Sequence, residues 1–203
     1  MKAVIFLNGE FDSDPVEAAK GADFTVCADG AYDYLRGRIV PTVILGDFDS
    51  VSERDFPIGS EVLTFSPEKD FTDGHLAIAC ATERGADEID VYGAFGGARP
   101  DHAYANLSLL YLGKKRGAFV RLISRKWLAI LRSERFTQKT KPGGYFSLVP
   151  FFESSHILST KGLKYSACDV TLYREQSLGI SNEAKGDVVE VDLSGETLVF
   201  IER

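Results

Sequence analysis

Apolar residues fall into two rhythms along this chain. Up to about residue 125, short apolar runs alternate with stretches of helical spacing. KAVIFL (2–7) stops at Asn8-Gly9, FTVCA (24–28) runs into Asp29-Gly30-Ala31, and TVIL (42–45) runs into Gly46. EVLTF (61–65), EIDVYG (88–93) and FVRLI (119–123) continue the series. Between these runs, residues 15–20 suit a short helix, with Pro15 early, where a helix tolerates proline. Ala31 to Leu35 read as the start of another helix. Leu76, Ala77, Cys80 and Ala81 recur at helical period after Phe71, as do Ala105, Leu109 and Leu112 within 101–113. Strands separated by helices predict parallel βαβ units with helices on both faces of the sheet.

Beyond residue 125 no stretch has helix-length periodicity. WLAIL (127–131), YFSLVPF (145–151), HILST (156–160), DVVEVDL (187–193) and TLVFI (197–201) are short and partly alternating. DVVEVDL places Val189, Val191 and Leu193 on one face. Lys141-Pro142-Gly143-Gly144 and Leu193-Ser194-Gly195-Glu196 are turn-rich breaks. The expected architecture is an α/β domain with a mostly parallel sheet over 1–125. An antiparallel β-sandwich or barrel is expected over 126–203.

Composition narrows the class of function. The chain has 203 residues, of which 44% are hydrophobic and 26% charged, as in an ordinary globular protein. No apolar run approaches the roughly 18 residues of a membrane span. The first apolar run lacks a small-residue cleavage site, so it reads as a strand and not a leader, and the expected location is the cytoplasm. Lys and Arg number 23 against 30 Asp and Glu, a net charge of −7. That balance argues against nucleic-acid binding, which normally needs a basic face. It does not exclude phosphorylated small ligands, because a divalent cation bridges carboxylates to phosphates. Cys27, Cys80 and Cys168 are far apart and odd in number, so they are expected to be buried free thiols.

Ligands of open parallel sheets gather beyond the carboxyl ends of the strands. Four unusual segments fall there. Asp29-Gly30 follows the second run. Gly46-Asp47-Phe48-Asp49-Ser50 follows the third. Two Asp separated by one residue project to the same side of an extended chain, and their oxygens suit a hard cation. They suit equally the capping of a helix or the bracing of a turn. Lys69-Asp70-Phe71-Thr72-Asp73 adds a second acidic pair and a lysine able to neutralise phosphate as a point charge. Helix capping and a solvated lysine are the alternatives. Gly93 to His102 is glycine-rich and leads into a helix, so its N–H groups can approach an anion. Arg99 supplies a planar fork for phosphate oxygens. Asp101 either caps the helix or faces a metal, and His102 is a hydrogen-bonding partner or a surface residue. No P-loop, dinucleotide fingerprint or nucleophile elbow is present. What remains is a magnesium–carboxylate site for a polyphosphate.

In order, these segments resemble the thiamine pyrophosphokinase family. The resemblance runs through CADGA (27–31), PTVILGDFDS (41–50), PEKDFTD (67–73) and GAFGGARPDHAYANL (93–107), then GLKY (162–165) and GISNE (179–183). It implies an N-terminal α/β domain that binds ATP and metal, and a C-terminal β-sandwich that binds thiamine. It implies transfer of pyrophosphate from ATP to the thiamine hydroxyl, with AMP released and Mg2+ required, in a homodimer whose sites are completed across the interface. Residue by residue, it implies Asp47, Asp49 and Asp73 as the metal and triphosphate site, joined by Asp101. Asp29 and Gly30 lie near the nucleotide, Lys69 and Arg99 at the phosphates, and Ser181 and Asn182 at thiamine. Tyr165 stands where an aromatic, often Trp, stacks on the vitamin. Two departures stand out: one extra residue precedes Arg99, and Tyr replaces Trp at 165. Two other readings stay open. One is a D-x-D metal-dependent nucleotidyl or glycosyl transferase with another acceptor. The other is a non-catalytic nucleotide-sensing module.

Overall fold

The first apolar run becomes β1 (Lys2–Phe6), buried at every position after Lys2. It is the centre of a six-stranded sheet in a computed structural model that describes residues 1–203. Contacts divide the chain into two units, 1–125 and 126–203. The first unit continues with α1 (Pro15–Ala19), β2 (Phe24–Ala28), α2 (Tyr32–Leu35), β3 (Val43–Gly46) and β4 (Glu61–Thr64). It ends with α3 (Asp73–Glu83), β5 (Glu88–Tyr92), α4 (Pro100–Lys115) and β6 (Phe119–Ile123).

Strand order in this unit is β6-β5-β1-β2-β3-β4, and every neighbouring pair is parallel. Ile5 lies opposite Val26 on one side and Val91 on the other. The inner strands are buried on both faces, which is why they read as unbroken apolar runs. Val4, Phe6, Cys27 and Ile44 point to one face, where Ala18 of α1 and Tyr32 and Leu35 of α2 cover them. α3 packs on β1, β2 and β3, and α4 on β6 and α3, which makes three layers. α3 starts at Asp73, where Thr72 accepts from the His75 amide at 3.3 Å. That is two residues later than Phe71, where the apolar spacing begins, because the cap must lie outside the helix. The chain lays down β1 to β4 in one direction, then returns to place β5 beside β1. The reversal opens a crevice beyond the strand ends.

The second unit holds β7 (Trp127–Arg132), β8 (Phe136–Lys139), β9 (Tyr145–Pro150), β10 (Ser154–Lys161), β11 (Cys168–Tyr173), β12 (Asn182–Glu183), β13 (Val188–Ser194) and β14 (Thr197–Glu202). They form antiparallel layers ordered β12-β9-β14-β7 and β11-β10-β13-β8, a sandwich. Val189, Val191 and Leu193 of β13 are buried as their alternation requires. The pattern of apolar runs does not single out β8, β11 and β12. All three are edge strands, half-exposed or only two residues long, and tertiary pairing defines them.

Two expectations need correction. Cys27 and Cys80 are buried free thiols, but Cys168 is exposed, since it opens an edge strand. Asp47-Phe48-Asp49 is not an extended segment, because Phe48 has φ 61, so the chain turns between the two carboxylates. No helix is long and apolar enough to cross a membrane.

Candidate active site

A cavity of about 620 Å3 lies at the carboxyl ends of β1 to β5, and every residue lining it falls between Leu7 and Asn106. Asp29 follows β2 directly. It has φ 48, opens a 3-10 turn, and is buried. Gly46 ends β3 with φ 150, and a Cβ there would sit 2.9 Å from the Asp29 Cβ. Glycine is what lets β3 end against Asp29. Gly30 leaves room in the same way. A Cβ at Gly30 would meet Nδ2 of Asn8 at 2.3 Å and Oγ of Ser50 at 2.9 Å. Beyond Gly46, carboxylate oxygens of Asp29, Asp47 and Asp49 lie within 4.8 Å of one another.

Ser50 Oγ donates to Oδ2 of Asp29. Oδ1 of Asp29 is buried and has no hydrogen-bond partner. A buried anionic oxygen without a donor is costly, and three converging carboxylates repel one another. A hard divalent cation answers both problems, because it takes carboxylate oxygens as ligands. The residues present therefore fit such an ion.

Lys69 reaches the cluster from the loop before α3. Its Nζ lies 3.3 Å from Oδ2 of Asp47 and 2.7 Å from Oδ1 of Asp73. Burial opposes ionisation of Asp47, but hydrogen bonds from Lys69 and the Asp49 amide, with the Lys69 charge, hold its pKa below the usual value. Burial opposes charge on Lys69 as well; Asp73 and Asp47 overcome it and raise the ammonium pKa. At Asp73 burial dominates, helped by the charges of Asp29 and Asp47, and its pKa rises in spite of Lys69.

The glycine-rich loop closes the far wall. Gly9 N donates to the Gly93 carbonyl at 2.9 Å, and Glu10 N to that of Phe95 at 2.9 Å. Asn106 Nδ2 on α4 holds the Ala94 carbonyl at 2.9 Å. Arg99 lines the cavity and grips Asp101 with both ends of its fork, Nε to Oδ1 at 2.9 Å and Nη2 to Oδ2 at 2.6 Å. That bond holds the Asp101 carboxyl at about 2.

The residues assigned to thiamine by resemblance gather elsewhere, in the second unit. Asn182 brackets Tyr165. Its Oδ1 accepts from Tyr165 N at 3.0 Å, and its Nδ2 donates to Tyr165 O at 2.7 Å. Ser181 has φ 61, and its amide donates to Ser147 Oγ at 3.0 Å. Lys164 pairs with Glu183 at 2.9 Å and stands 5.5 Å from the Tyr165 ring centre. The ring itself is exposed.

Of the expected site residues, Asp29, Asp47, Asp49, Lys69, Asp73 and Arg99 line one cavity. Gly30 and Asp101 do not line it. The carboxylate trio is Asp29, Asp47 and Asp49, where the sequence reading grouped Asp73 with Asp47 and Asp49. Asp73 is linked to Asp47 through Lys69, four residues earlier in the loop before α3. Asn8, Ser50 and Asn106 also shape the site, and sequence reasoning gave them no role. Ser50 and Asn106 lie inside the quoted motifs. Asn8 was legible only as the stop of the first strand.

Comparison with known proteins gives concordant matches. Residues 16–122 match the family model for the thiamin pyrophosphokinase catalytic domain, and residues 134–198 that for the thiamin pyrophosphokinase vitamin B1 binding domain. A thiamine pyrophosphokinase of Bacillus subtilis (strain 168) is 35% identical over 162 residues, covering 76% of this chain and 74% of that protein. The crystal structure of thiamine pyrophosphokinase from Bacillus subtilis superposes with a TM-score of 0.88 at 26% identity, covering 100% of this chain and 98% of that one. That of thiamin pyrophosphokinase from Geobacillus thermodenitrificans gives 0.83 at 26% identity, with 100% and 97% coverage.

Proposed function

The chain belongs to the thiamin pyrophosphokinase family, whose enzymes pyrophosphorylate thiamine, and we propose that it uses ATP as donor and releases AMP. One observation carries the reading: three carboxylates converge in a cavity, and the buried Oδ1 of Asp29 lacks a donor. Asp29, Asp47 and Asp49 would hold a divalent cation, with Mg2+ the expected ion, which supplies charge neutralisation for a polyphosphate when bound.

The chain's own groups do the rest. Lys69, held between Asp47 and Asp73, presents a fixed positive charge to the phosphates. Arg99 offers its fork at the cavity wall, after exchanging Asp101 for phosphate oxygens. Amides of the glycine-rich loop approach the same oxygens. The thiamine hydroxyl attacks the β-phosphorus, the bond to the oxygen bridging the α- and β-phosphates breaks, and AMP leaves. Asp73 suits the proton of that hydroxyl better than Asp101 does. Burial raises the Asp73 pKa and Asp73 lines the cavity. Asp101 is held at about 2 by Arg99, which makes it a weak base. Positioning and electrostatics supply most of the acceleration.

Thiamine recognition falls to residues 126–203. Tyr165 offers a flat exposed ring, and Asn182 and Ser181 stand beside it on ordered backbone. The reading includes a homodimer that completes each site across the interface. Tyr165, Leu178 and Ile180 of this unit are exposed apolar side chains that a second copy would cover.

The test is product identity. The protein is incubated with ATP, Mg2+ and thiamine, with and without chelator. Equal amounts of thiamine diphosphate and AMP, lost with chelator, are expected. Release of ADP, or no thiamine-dependent product, overturns the reading.

A further inference from the structure

Between Asp47 and Asp49 stands a residue that does not line the cavity. Phe48 is 3% exposed and belongs to the core cluster that includes Tyr32, Leu35 and Ile44. Its ring centre lies 4.8 Å from that of Phe56. Its backbone has φ 61, a conformation that a bulky residue with a β-carbon rarely adopts. Such strain persists where surrounding structure over-determines it, and it concentrates at functional sites.

The over-determination is visible. Arg54 Nη2 donates to the Phe48 carbonyl at 3.0 Å. The Asp49 amide donates back to Oδ1 of Asp47 at 3.4 Å, closing a tight turn around Phe48. Downstream, the loop is sewn to α2. The Ser52 amide donates to Oδ2 of Asp33 at 3.1 Å, and the Tyr32 hydroxyl to the Asp55 carbonyl at 3.0 Å. Phe56, which packs on Phe48, packs also on Tyr32 at 5.2 Å. An extended Asp-Phe-Asp would bring both carboxylates to one side by alternation alone. Here the chain is kinked at the middle residue, and both carboxylates still converge with Asp29.

We infer that Phe48 is a positioning residue for the carboxylate cluster: burial of its ring enforces the left-handed turn that aims Asp47 and Asp49 at one cation. The inference rests on the metal-site reading above. It goes further by assigning the geometry of that site to a core side chain. Apolar burial holds the ring inward, and on the observed left-handed path the ring packs on Phe56, Arg54 holds the Phe48 carbonyl, and the two carboxylates converge with Asp29.

The test reads metal affinity without nucleotide or thiamine. Mn2+ is titrated by calorimetry into the wild type, Phe48→Ala, Phe48→Leu and Leu35→Ala. Phe48→Ala is expected to bind Mn2+ about tenfold more weakly or worse, in the range of lost outer-shell support. Phe48→Leu keeps an apolar anchor and stays close to wild type. Leu35 is fully buried in the same cluster, so Leu35→Ala costs stability but leaves Mn2+ affinity near wild type. Wild-type affinity in Phe48→Ala, or equal losses in Phe48→Ala and Leu35→Ala, overturns the inference. Should Phe48→Ala fail to fold, Arg54→Met decides. It removes the clamp on the Phe48 carbonyl outside the core, and it must weaken Mn2+ binding. Absence of Mn2+ binding by the wild type overturns the inference outright. Intact Mn2+ binding without thiamine diphosphate production instead overturns the proposed function and leaves the positioning role standing.

Discussion

Ser50 and Asp29, 21 residues apart, meet through a hydrogen bond from the hydroxyl to Oδ2, and this leaves Oδ1 of Asp29 as the buried oxygen without a donor. The carboxylate is thus oriented through one oxygen and unpaired at the other, as the proposed metal role requires.

Asp29→Asn tests that arrangement. Replacing one of three mutually repelling carboxylates should make the protein more stable than wild type in chelator. The gain that ligand binding gives wild type, about 2.7 kcal/mol at a metal concentration of 100 Kd, should largely vanish. Turnover should fall by more than the roughly 10–100-fold typical of losing a group that only supports a metal ligand. Denaturant melts with chelator or Mg2+, alongside steady-state kinetics, check both. A variant with an undiminished Mg2+ effect would remove Asp29 from the metal site.

The Arg99–Asp101 pair makes a pH prediction. The hydrogen bond from Arg99 lowers the Asp101 pKa from 3.8 to about 2 in the folded chain. A depressed carboxylate pKa contributes stability above the unfolded value, and that contribution disappears as pH falls from about 4 toward 2. The pair is exposed, so salt screens it and its weight in total stability is small. The site-specific titration is the sharper observable. Carboxyl NMR shifts of Asp101 should titrate near 2 in wild type and return toward 3.8 in Arg99→Gln. Equal midpoints in the two proteins would mean that the fork is not held in solution.

Asn182→Ala should act on one substrate only. Its amide makes both hydrogen bonds to the Tyr165 backbone, each worth about 1 kcal/mol net. Freeing Tyr165 should raise KM for thiamine by up to roughly thirtyfold, since two such bonds total about 2 kcal/mol and 1.4 kcal/mol is a factor of ten. KM for ATP should stay unchanged, because Asn182 is not among the residues lining the cavity of the first unit. Equal rises in both constants would show a general loss of structure instead.

Some of this site could be read along the chain and some could not. Asp47, Asp49, Lys69 and Arg99 are legible because each follows a strand-like run, and chain direction in a parallel sheet brings all strand ends to one edge. The partners of these groups are not legible. The resemblance groups Asp73 with Asp47 and Asp49, and the lysine that bridges Asp73 to Asp47 is visible only in the fold. Asp101 reads as either a helix cap or a group facing a metal, and its pairing with Arg99 is likewise set by the folded loop. Phe48 carries no signal of its own in the sequence, and its left-handed backbone and buried ring appear only in the fold.

Apolar rhythm alone determined the parallel α/β layer and the antiparallel layers, because burial is roughly proportional to apolar area and hardly depends on the exact neighbour. Tertiary structure alone decided which carboxylates converge, which are paired with Lys69 or Arg99, and that Asp29 joins Asp47 and Asp49. Those choices turn on separations of a few ångströms between residues distant in the chain. Coulomb and hydrogen-bond energies change steeply over such distances, and one-dimensional spacing does not specify them.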